Sequence, residues 1–184
     1  MQNPYLIGDK IYLRPLERDD APTLQPWIND SDVTRTLLIY RPVNRVLEEE
    51  FVDKALRSDH DVVLGITVRE TDRLIGVAGL HLIDFKNRHS GFGITIGEKG
   101  EWGKGYGSEA TQLMVGYAFN TLNLNRVWLE AYEYNQRGIH IYEKVGFLKE
   151  GTLRQDHYLE GRYWNTILMG ILREDWTAGK SETR

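Results

Sequence analysis

Three glycines alternate with other residues in the stretch 102–108, which reads WGKGYGS. Glycine has no Cβ, so a backbone built on it can approach a ligand closely. A helix is expected to follow at once, and its start offers unpaired N–H groups and the positive end of the helix dipole. The stretch therefore suits a phosphate or pyrophosphate, with Lys104 adding charge and with Ser108 or the loop backbone capping the helix.

The same stretch lacks two common nucleotide-binding motifs. A Walker loop needs Gly-Lys-Ser/Thr after a glycine and four further residues, and a dinucleotide-binding fingerprint needs glycine where Ser108 stands. A glycine-rich turn that only tightens a joint between strand and helix is the structural alternative.

A second pattern runs from Asn135 to Phe147. Asn135 can cap a helix, and the pair Gly146-Phe147 is typical of a helix end that leads into a strand. Tyr142 follows the cap by seven residues, which is about two helical turns. We therefore expect its phenol on the same helix face as the cap.

The elements that position these residues follow from hydrophobic periodicity. Alternation predicts strands at 11–14, 62–68, 74–82, 92–96, 126–132, 147–158 and 163–172. Helical spacing predicts a helix capped by Asp19 or Asp20 and others at 46–57, 108–121 and 138–145. This order indicates a mixed α+β sheet, and its central strand–helix–strand unit implies local parallel pairing.

The helix at 46–57 is expected to be amphipathic. Its predicted inner face carries four apolar residues at helical spacing, namely Leu47, Phe51, Ala55 and Leu56. The run Glu48-Glu49-Glu50 is interpreted as a solvated face. Attraction of a polyamine to that run is the weaker alternative.

Composition narrows the class of protein. With 184 residues, 41% of them hydrophobic, the chain can bury the core of one domain. It has no cysteine, which excludes disulfides, a thiolate nucleophile and metal sites built on sulfur. A formal charge of −4 with scattered basic residues argues against direct nucleic-acid binding. No apolar run reaches membrane-spanning length and no signal peptide is evident, so we expect no membrane contact and a cytoplasmic location.

On these two motifs the chain resembles the GNAT superfamily of acetyl-CoA-dependent N-acetyltransferases, in particular its branch of ribosomal-protein N-terminal and spermidine acetyltransferases. The family loop Gln/Arg-x-x-Gly-x-Gly/Ala matches 102–107, although Trp102 departs at the first position. The second family motif is matched by Asn135, Gly138, Tyr142, Gly146 and Phe147. The likeness extends from residue 11 to the last hairpin.

The resemblance implies a GNAT fold, with a twisted, mostly antiparallel sheet of about seven strands, four helices and parallel pairing at the cofactor site. It implies a single acetyltransferase domain over 1–184, with a cofactor-binding core at about 91–147 and acceptor-side helices at about 19–58. The loop Leu37 to Arg45 is expected to line the acceptor side with those helices. A homodimer is left open.

The resemblance also assigns roles to residues. Tyr142 is the expected general acid, with packing against the sheet as its alternative. The expected cofactor-binding residues are Ile94, Thr95, Ile96, Trp102, Gly103, Lys104, Gly105, Tyr106, Gly107, Ser108 and Asn135. Among these, 94–96 would offer backbone groups to the pantetheine. Asn135 would bond either the cofactor arm or the start of the Tyr142 helix.

Glu130 is the candidate general base. Alternation places it on one sheet face with Trp128 and Tyr132, and a carboxylate in mid-strand is costly unless it is paired or lies in a wet cleft. In N-terminal acetyltransferases of the superfamily a glutamate five residues before the motif's asparagine serves as base, which is the position of Glu130. An ion pair with a neighbouring arginine is the alternative.

These features predict direct acetyl transfer from acetyl-CoA to a primary amine in a ternary complex. The predicted acceptor is a peptide or ribosomal-protein α-amine, whose pKa of about 7.7–8.0 demands less of a base than an alkylamine near about 10.4. A small polyamine or aminoglycoside is the alternative acceptor, and a non-catalytic acyl-CoA sensor is the alternative function. The five histidines show no metal-binding spacing, so no metal is expected. Aromatic residues near the last hairpin are interpreted as sheet packing rather than cleft lining, namely Tyr158, Tyr163 and Trp164.

Overall fold

The computed structural model describes residues 1–176, which form one eight-stranded sheet with helices on both faces. The strands are β1 (Leu6–Ile7), β2 (Ile11–Pro15), β3 (Val62–Val68), β4 (Leu74–Asp84), β5 (His89–Ile96), β6 (Arg126–Tyr132), β7 (Leu148–Leu159) and β8 (Arg162–Leu172). The α-helices are α1 (Ala21–Ile28), α2 (Ser31–Thr34), α3 (Arg45–Arg57), α4 (Tyr106–Asn120) and α5 (Gln136–Val145). Short 3₁₀ turns occur at Arg18–Asp20 and Lys99–Glu101, and residues 173–176 are helical.

The α+β prediction is confirmed, and all seven predicted strands and four predicted helices are present. Sequence analysis missed β1 and α2. These elements span two and four residues, which is too short for a periodic pattern to emerge.

The sheet order is β1-β2-β3-β4-β5-β6-β8-β7, and every neighbouring pair is antiparallel except β5 and β6. Those two are parallel because α4 crosses over between them. Their pairing covers only three positions and ends at Gly91 opposite Trp128. Beyond Gly91 the strands separate, and within residues 1–176 the rest of β5 has no strand partner on that side.

The sheet separates two apolar layers. The main core gathers around α4, where Ala110, Met114 and Ala118 are fully buried as predicted. A smaller cluster lies under α1 and α3 and contains Leu16, Ala21, Leu24, Val52 and Leu74. Since Ala78 packs in the first layer and Val77 in the second, alternate residues of β4 face opposite sides of the sheet.

Of two local predictions in this smaller layer, one holds in position only and the other is wrong. Asp20 holds the predicted cap position of α1, but its carboxylate accepts hydrogen bonds from Arg14 at 2.7 and 2.8 Å and from the N–H of Glu17 at 2.8 Å rather than from the helix. On α3 the predicted inner residues Leu47 and Phe51 are 49% and 41% exposed, whereas Glu48 is 3% exposed. The helix packs on the sheet through Val52, so its buried face is rotated by one residue from the predicted one. Glu48, which lies on the same face as Val52, is therefore not on a solvated face.

No helix in the described part of the chain is both long enough and apolar enough to cross a bilayer.

Candidate active site

Two cavities meet where β5 and β6 separate. One, of about 440 Å³, lies between the glycine-rich loop and the start of α5. The other, of about 580 Å³, lies between the sheet and the layer of α1 and α3. Four residues line both cavities: Thr36, Ile94, Thr95 and Tyr142. A molecule in the first cavity can therefore present a reactive group to a molecule in the second, beside Tyr142. We call the first the donor cavity and the second the acceptor cavity.

The glycine-rich loop shapes the donor cavity through its backbone. Gly103 and Gly105 have φ values of +83° and +91°, a region that side chains rarely tolerate. Gly105 is the residue that precedes α4, and no side chain caps this helix. The first N–H groups of α4 therefore have no partner within the helix and lie beside the cavity. Of the two caps that the sequence predicts, the loop backbone therefore holds the cap position, at Gly105, and Ser108 lies inside the first turn of the helix.

The cationic side chains that line the donor cavity, beside the carboxylates of Asp32 and Glu101, come from α5 rather than from the loop. The Lys104 ammonium pairs with Glu101 at 2.7 Å, and Lys104 is not among the residues that line the cavity. Arg137 and Lys144 do line it, as does His140. Sequence reasoning missed these residues, although each lies inside the second motif.

Trp102, which departs from the family pattern, ties the loop to the end of β5. Its indole N–H donates to the carbonyl of Ile96 at 2.8 Å. The guanidinium of Arg137 lies 5.6 Å from the indole ring centre, within the range of a cation–π contact. The tryptophan therefore links the strand, the loop and α5 around the donor cavity.

The second motif is a set of helix-end contacts that position Tyr142. Asn135 Oδ1 accepts the N–H of Gly138 at 3.0 Å, so Asn135 caps the start of α5. A Cβ on Gly138 would lie 2.5 Å from Asn135 Nδ2, and only glycine leaves room for this cap. Gly146 ends the helix with φ +112°.

Tyr142 is held by aromatic packing. Its ring makes edge-to-face contacts with Phe92 and Phe147 at centroid distances of 6.4 and 6.0 Å. Burial raises the pKa of its phenol to about 12, so the group stays protonated at neutral pH. Tyr142 therefore presents a protonated phenol at the junction of the two cavities.

The acceptor cavity has a floor of glycines and a largely apolar roof. Gly79, Gly91 and Gly93 carry no side chain on this face of the sheet. The Trp128 ring lies over Gly91, 3.2 Å from where a Cβ would be, and the His81 ring lies over Gly79. The roof is built by residues of α1, α3 and the loop before α3, namely Leu24, Ile28, Leu37, Leu38, Ile39, Val43, Leu47 and Phe51. The structure thus places the predicted acceptor-side elements around this cavity.

The loop over the cavity is anchored at both ends. Near α3, the Asn29 amide donates to the Val43 carbonyl at 2.7 Å and accepts the N–H of Val43 at 2.9 Å. Near α2, the Tyr134 hydroxyl donates to the Arg35 carbonyl at 2.5 Å. These bonds hold a loop whose side chains include the well-exposed Leu38.

Three ionisable groups other than phenols line the acceptor cavity: Glu48, Glu130 and His81. Within residues 1–176 the Glu48 carboxylate has no hydrogen-bond or ion-pair partner, and burial raises its pKa. Glu130 is exposed and also unpartnered there, so the predicted alternative of an ion pair with an arginine is not found: the neighbouring Arg126 pairs with Glu150. His81 faces Asp61.

The aromatic residues of the last hairpin lie outside both cavities. Tyr158 and Tyr163 contact each other at 5.1 Å, and the Arg162 guanidinium covers Trp164 at 3.4 Å. This arrangement agrees with the packing interpretation. Across the described residues, no group of three or more His, Asp or Glu side chains is arranged to hold a metal ion.

Comparison with known proteins identifies a family model, the acetyltransferase (GNAT) domain, that matches residues 10–148. Spermidine N(1)-acetyltransferase of Escherichia coli K12 is 32% identical over 170 residues, covering 91% of this chain and 89% of that protein. The N-acetyltransferase p20 of Bacillus licheniformis is 29% identical, covering 93% and 97%. The crystal structure of a Vibrio cholerae spermidine N-acetyltransferase with CoA and spermine has a TM-score of 0.85 and 26% identity, covering 92% of this chain and 99% of that one.

Proposed function

Because the chain belongs to the GNAT family and is an acetyl-CoA-dependent N-acetyltransferase, we propose that it acetylates a primary amine of a small polyamine of the spermidine class. The observation that carries the proposal is the charge of the acceptor cavity. Two carboxylates, Glu48 and Glu130, line it, and among the described lining residues there is no lysine or arginine.

The donor cavity fits acetyl-CoA, which supplies an acetyl group on a thioester. The unpaired N–H groups at the start of α4, together with Arg137 and Lys144, suit its phosphates. The free side of β5 at 94–96 suits the pantetheine amides, which can pair with it as a strand would. We propose that the loop holds the donor so that its thioester lies beside Tyr142.

The acceptor cavity suits a chain of methylenes that carries several ammonium groups. Its apolar roof complements the methylenes, and Glu48 can pair with an ammonium distant from the reacting nitrogen. A peptide N-terminus instead presents backbone amides directly after its single ammonium, and these need polar partners. The predicted peptide acceptor therefore gives way here to the predicted polyamine alternative, which also agrees with the E. coli and V. cholerae relatives.

We assign Tyr142 as the general acid that protonates the departing thiolate. The proposal rests on its position between the cavities and on a phenol that is protonated at working pH. With no cysteine in the chain, the usual nucleophile of an acyl-enzyme route is absent. Direct transfer with both substrates bound is the mechanism that the two joined cavities support.

A free-thiol release assay with acetyl-CoA tests the acceptor class. The panel contains spermidine, spermine, N-terminal peptides with small first residues, and aminoglycosides. We expect the highest kcat/KM with a polyamine, and 1,4-diaminobutane with one ammonium fewer than spermidine should be poorer. Turnover of peptides with none of polyamines would overturn the proposal. Tight acetyl-CoA binding without transfer to any amine would instead support the sensor alternative.

A further inference from the structure

A histidine and an aspartate face each other at the rim of the acceptor cavity. His81 lies near the end of β4, and its Nδ1 is 3.6 Å from Asp61 Oδ1, which is an electrostatic contact rather than a hydrogen bond. Asp61 is itself held in place. It accepts the Ser58 hydroxyl at 2.7 Å and the backbone N–H of Leu82 at 3.1 Å. The carboxylate is thus a fixed point from which the imidazole is oriented.

The other ring nitrogen of His81, Nε2, lies over Gly79 and Gly93 in the floor of the acceptor cavity. A Cβ on Gly79 would lie 2.7 Å from His81 Nε2, and a Cβ on Gly93 would lie 3.5 Å from it. Gly79 and Gly93 are direct partners across β4 and β5. The imidazole therefore occupies the space left free because Gly79 and Gly93 have no side chains. Gly93 directly precedes Ile94, which lines both cavities.

The surroundings set the form in which His81 is present. Burial lowers its pKa, and the negative charge of Asp61 opposes this in part. The ring is therefore neutral at neutral pH, and the carboxylate opposite Nδ1 favours the proton on that nitrogen, which leaves the Nε2 lone pair free. The other titratable groups around the cavity are Glu48 on α3, Glu130 on β6, and the phenols of Tyr132 and Tyr142.

We propose that His81, positioned by Asp61, is the base that takes the proton from the acceptor nitrogen. The inference rests on the proposed transfer to an amine at this site. As the nitrogen of the neutral amine forms its bond to the acetyl carbon, one N–H proton passes to His81 Nε2. The C–S bond breaks and the sulfur takes the Tyr142 proton. The imidazolium then releases its proton and the phenolate regains one through solvent, so that amide and free CoA thiol are the net products.

Glu130 is the rival base, since the sequence pattern predicts that role for it. Its side chain is exposed on β6 and has no partner that orients it among residues 1–176. A positioned base that is neutral before it accepts a proton is better suited to a cavity already holding carboxylates. In this arrangement Glu130 binds a second ammonium of the acceptor.

The pH dependence of kcat/KM for His81→Gln, compared with Glu130→Gln, distinguishes the two bases. The amine used is whichever one the parent turns over best, so failure on polyamines refutes the acceptor class without affecting this test. We expect His81→Gln to lose about 100-fold or more in kcat/KM and to lose the acidic limb that the base produces. Acetyl-CoA affinity should be unchanged. His89→Gln is the matched control, because His89 on β5 faces Asp84 at the end of β4 at 3.9 Å, a second histidine–aspartate pair in the same sheet, but lies outside both cavities.

An acidic limb that persists in His81→Gln and disappears in Glu130→Gln would overturn the proposal and assign the base to Glu130. If His81→Gln does not fold, Asp61→Asn decides. Loss of the Asp61 charge should lower the pKa of His81 and move the acidic limb to lower pH. A limb that stays in place in Asp61→Asn would also overturn the proposal.

Discussion

The donor side and the acceptor side of this site are built from different parts of the chain. The donor side is built mainly from backbone groups and helix ends of two short runs, 94–108 and 135–144, with Asp32, Val33 and Thr36 completing its lining. The acceptor side uses side chains from α1, α3, β4 and β6 and from the loop before α3, which are distant in sequence. The first kind of site leaves a local sequence signature, whereas the second is assembled only by the fold.

The two sides also differ in how their polar groups are satisfied. On the donor side Trp102, Lys104 and Asn135 each have a partner within the chain. On the acceptor side Glu48 and Glu130 have none in the described residues. A buried, unpaired carboxylate such as that of Glu48 costs folding free energy. Its presence in the acceptor cavity is understandable if a cationic ligand supplies the missing partner.

The largest effect is expected where the two sides meet. Tyr142→Phe removes only a hydroxyl that has no hydrogen-bond partner among residues 1–176, and the ring contacts with Phe92 and Phe147 stay. Loss of the general acid should lower kcat by about 100-fold or more. Acetyl-CoA affinity and thermal stability should stay close to those of the parent, as measured by calorimetric titration and thermal melting.

Tyr158→Phe is the matched control for this prediction, since Tyr158 is 60% exposed and lies outside both cavities. It should retain the full rate. A Tyr142→Phe enzyme as fast as this control would reduce Tyr142 to a packing residue.

A smaller effect is expected from a change confined to the donor side. Gly105→Ala forces a side chain into left-handed backbone at φ +91°, although among the described residues beyond its chain neighbours only Lys10 Nζ, at 3.9 Å, lies near the new Cβ. The strain should destabilise the fold by about 1 kcal/mol and distort the loop. We expect acetyl-CoA affinity to fall about tenfold, or about 1.4 kcal/mol, with the polyamine KM at saturating acetyl-CoA unchanged.

Gly161→Ala separates strain from binding. Gly161 has φ +81° in the turn between β7 and β8, with no atom within 4 Å of a new Cβ, and it lies outside both cavities. The two variants should lose similar stability in urea unfolding, but only Gly105→Ala should lose acetyl-CoA affinity. Equal affinities in the two variants would show that the loop does not bind the donor through its backbone.

The donor side and the fold were predictable because their signals are local. The strand at 126–132 was predicted to the residue, and the motif from Asn135 to Gly146 encodes both ends of α5 in the residues themselves. Positions 103 and 105 likewise require glycine, because the backbone has a positive φ at both. Lys104 shows the limit of such reasoning, because its charge is taken up by Glu101, three residues away, and does not reach the cavity.

The acceptor side was not predictable because the positions of its ionisable side chains depend on how helices and strands pack against one another. The orientation of α3 is set by packing of Val52 in the smaller apolar layer, which turned Glu48 inwards and left Leu47 and Phe51 facing the cavity. The His81–Asp61 pair joins residues 20 positions apart that meet only across the edge of a hairpin. The sequence offered one signal for this pair: His81 follows Gly79 by two residues on a predicted strand and so shares its face. In the structure His81 lies opposite a second glycine, Gly91.

An effect no larger than that of Gly105→Ala is expected at Glu48, and it separates stability from function on the acceptor side. Burial raises the pKa of this carboxyl above its value in the unfolded chain, so the folded state binds more protons between the two pKa values. Stability from this group is therefore greatest at low pH and falls as pH rises from about 4.3 through the folded pKa. Glu48→Gln removes that loss of stability. We expect the free energy of unfolding of this variant in urea to exceed the parent's by about 1 kcal/mol at pH 7.5, with the difference closing below about pH 4.3.

The same variant should raise the KM for spermidine about tenfold, because an ammonium loses its charged partner. Glu50→Gln, on the exposed side of the same helix, should change neither quantity. A Glu48→Gln protein that is less stable than the parent at neutral pH, with an unchanged KM, would mean that Glu48 has a structural partner rather than a ligand.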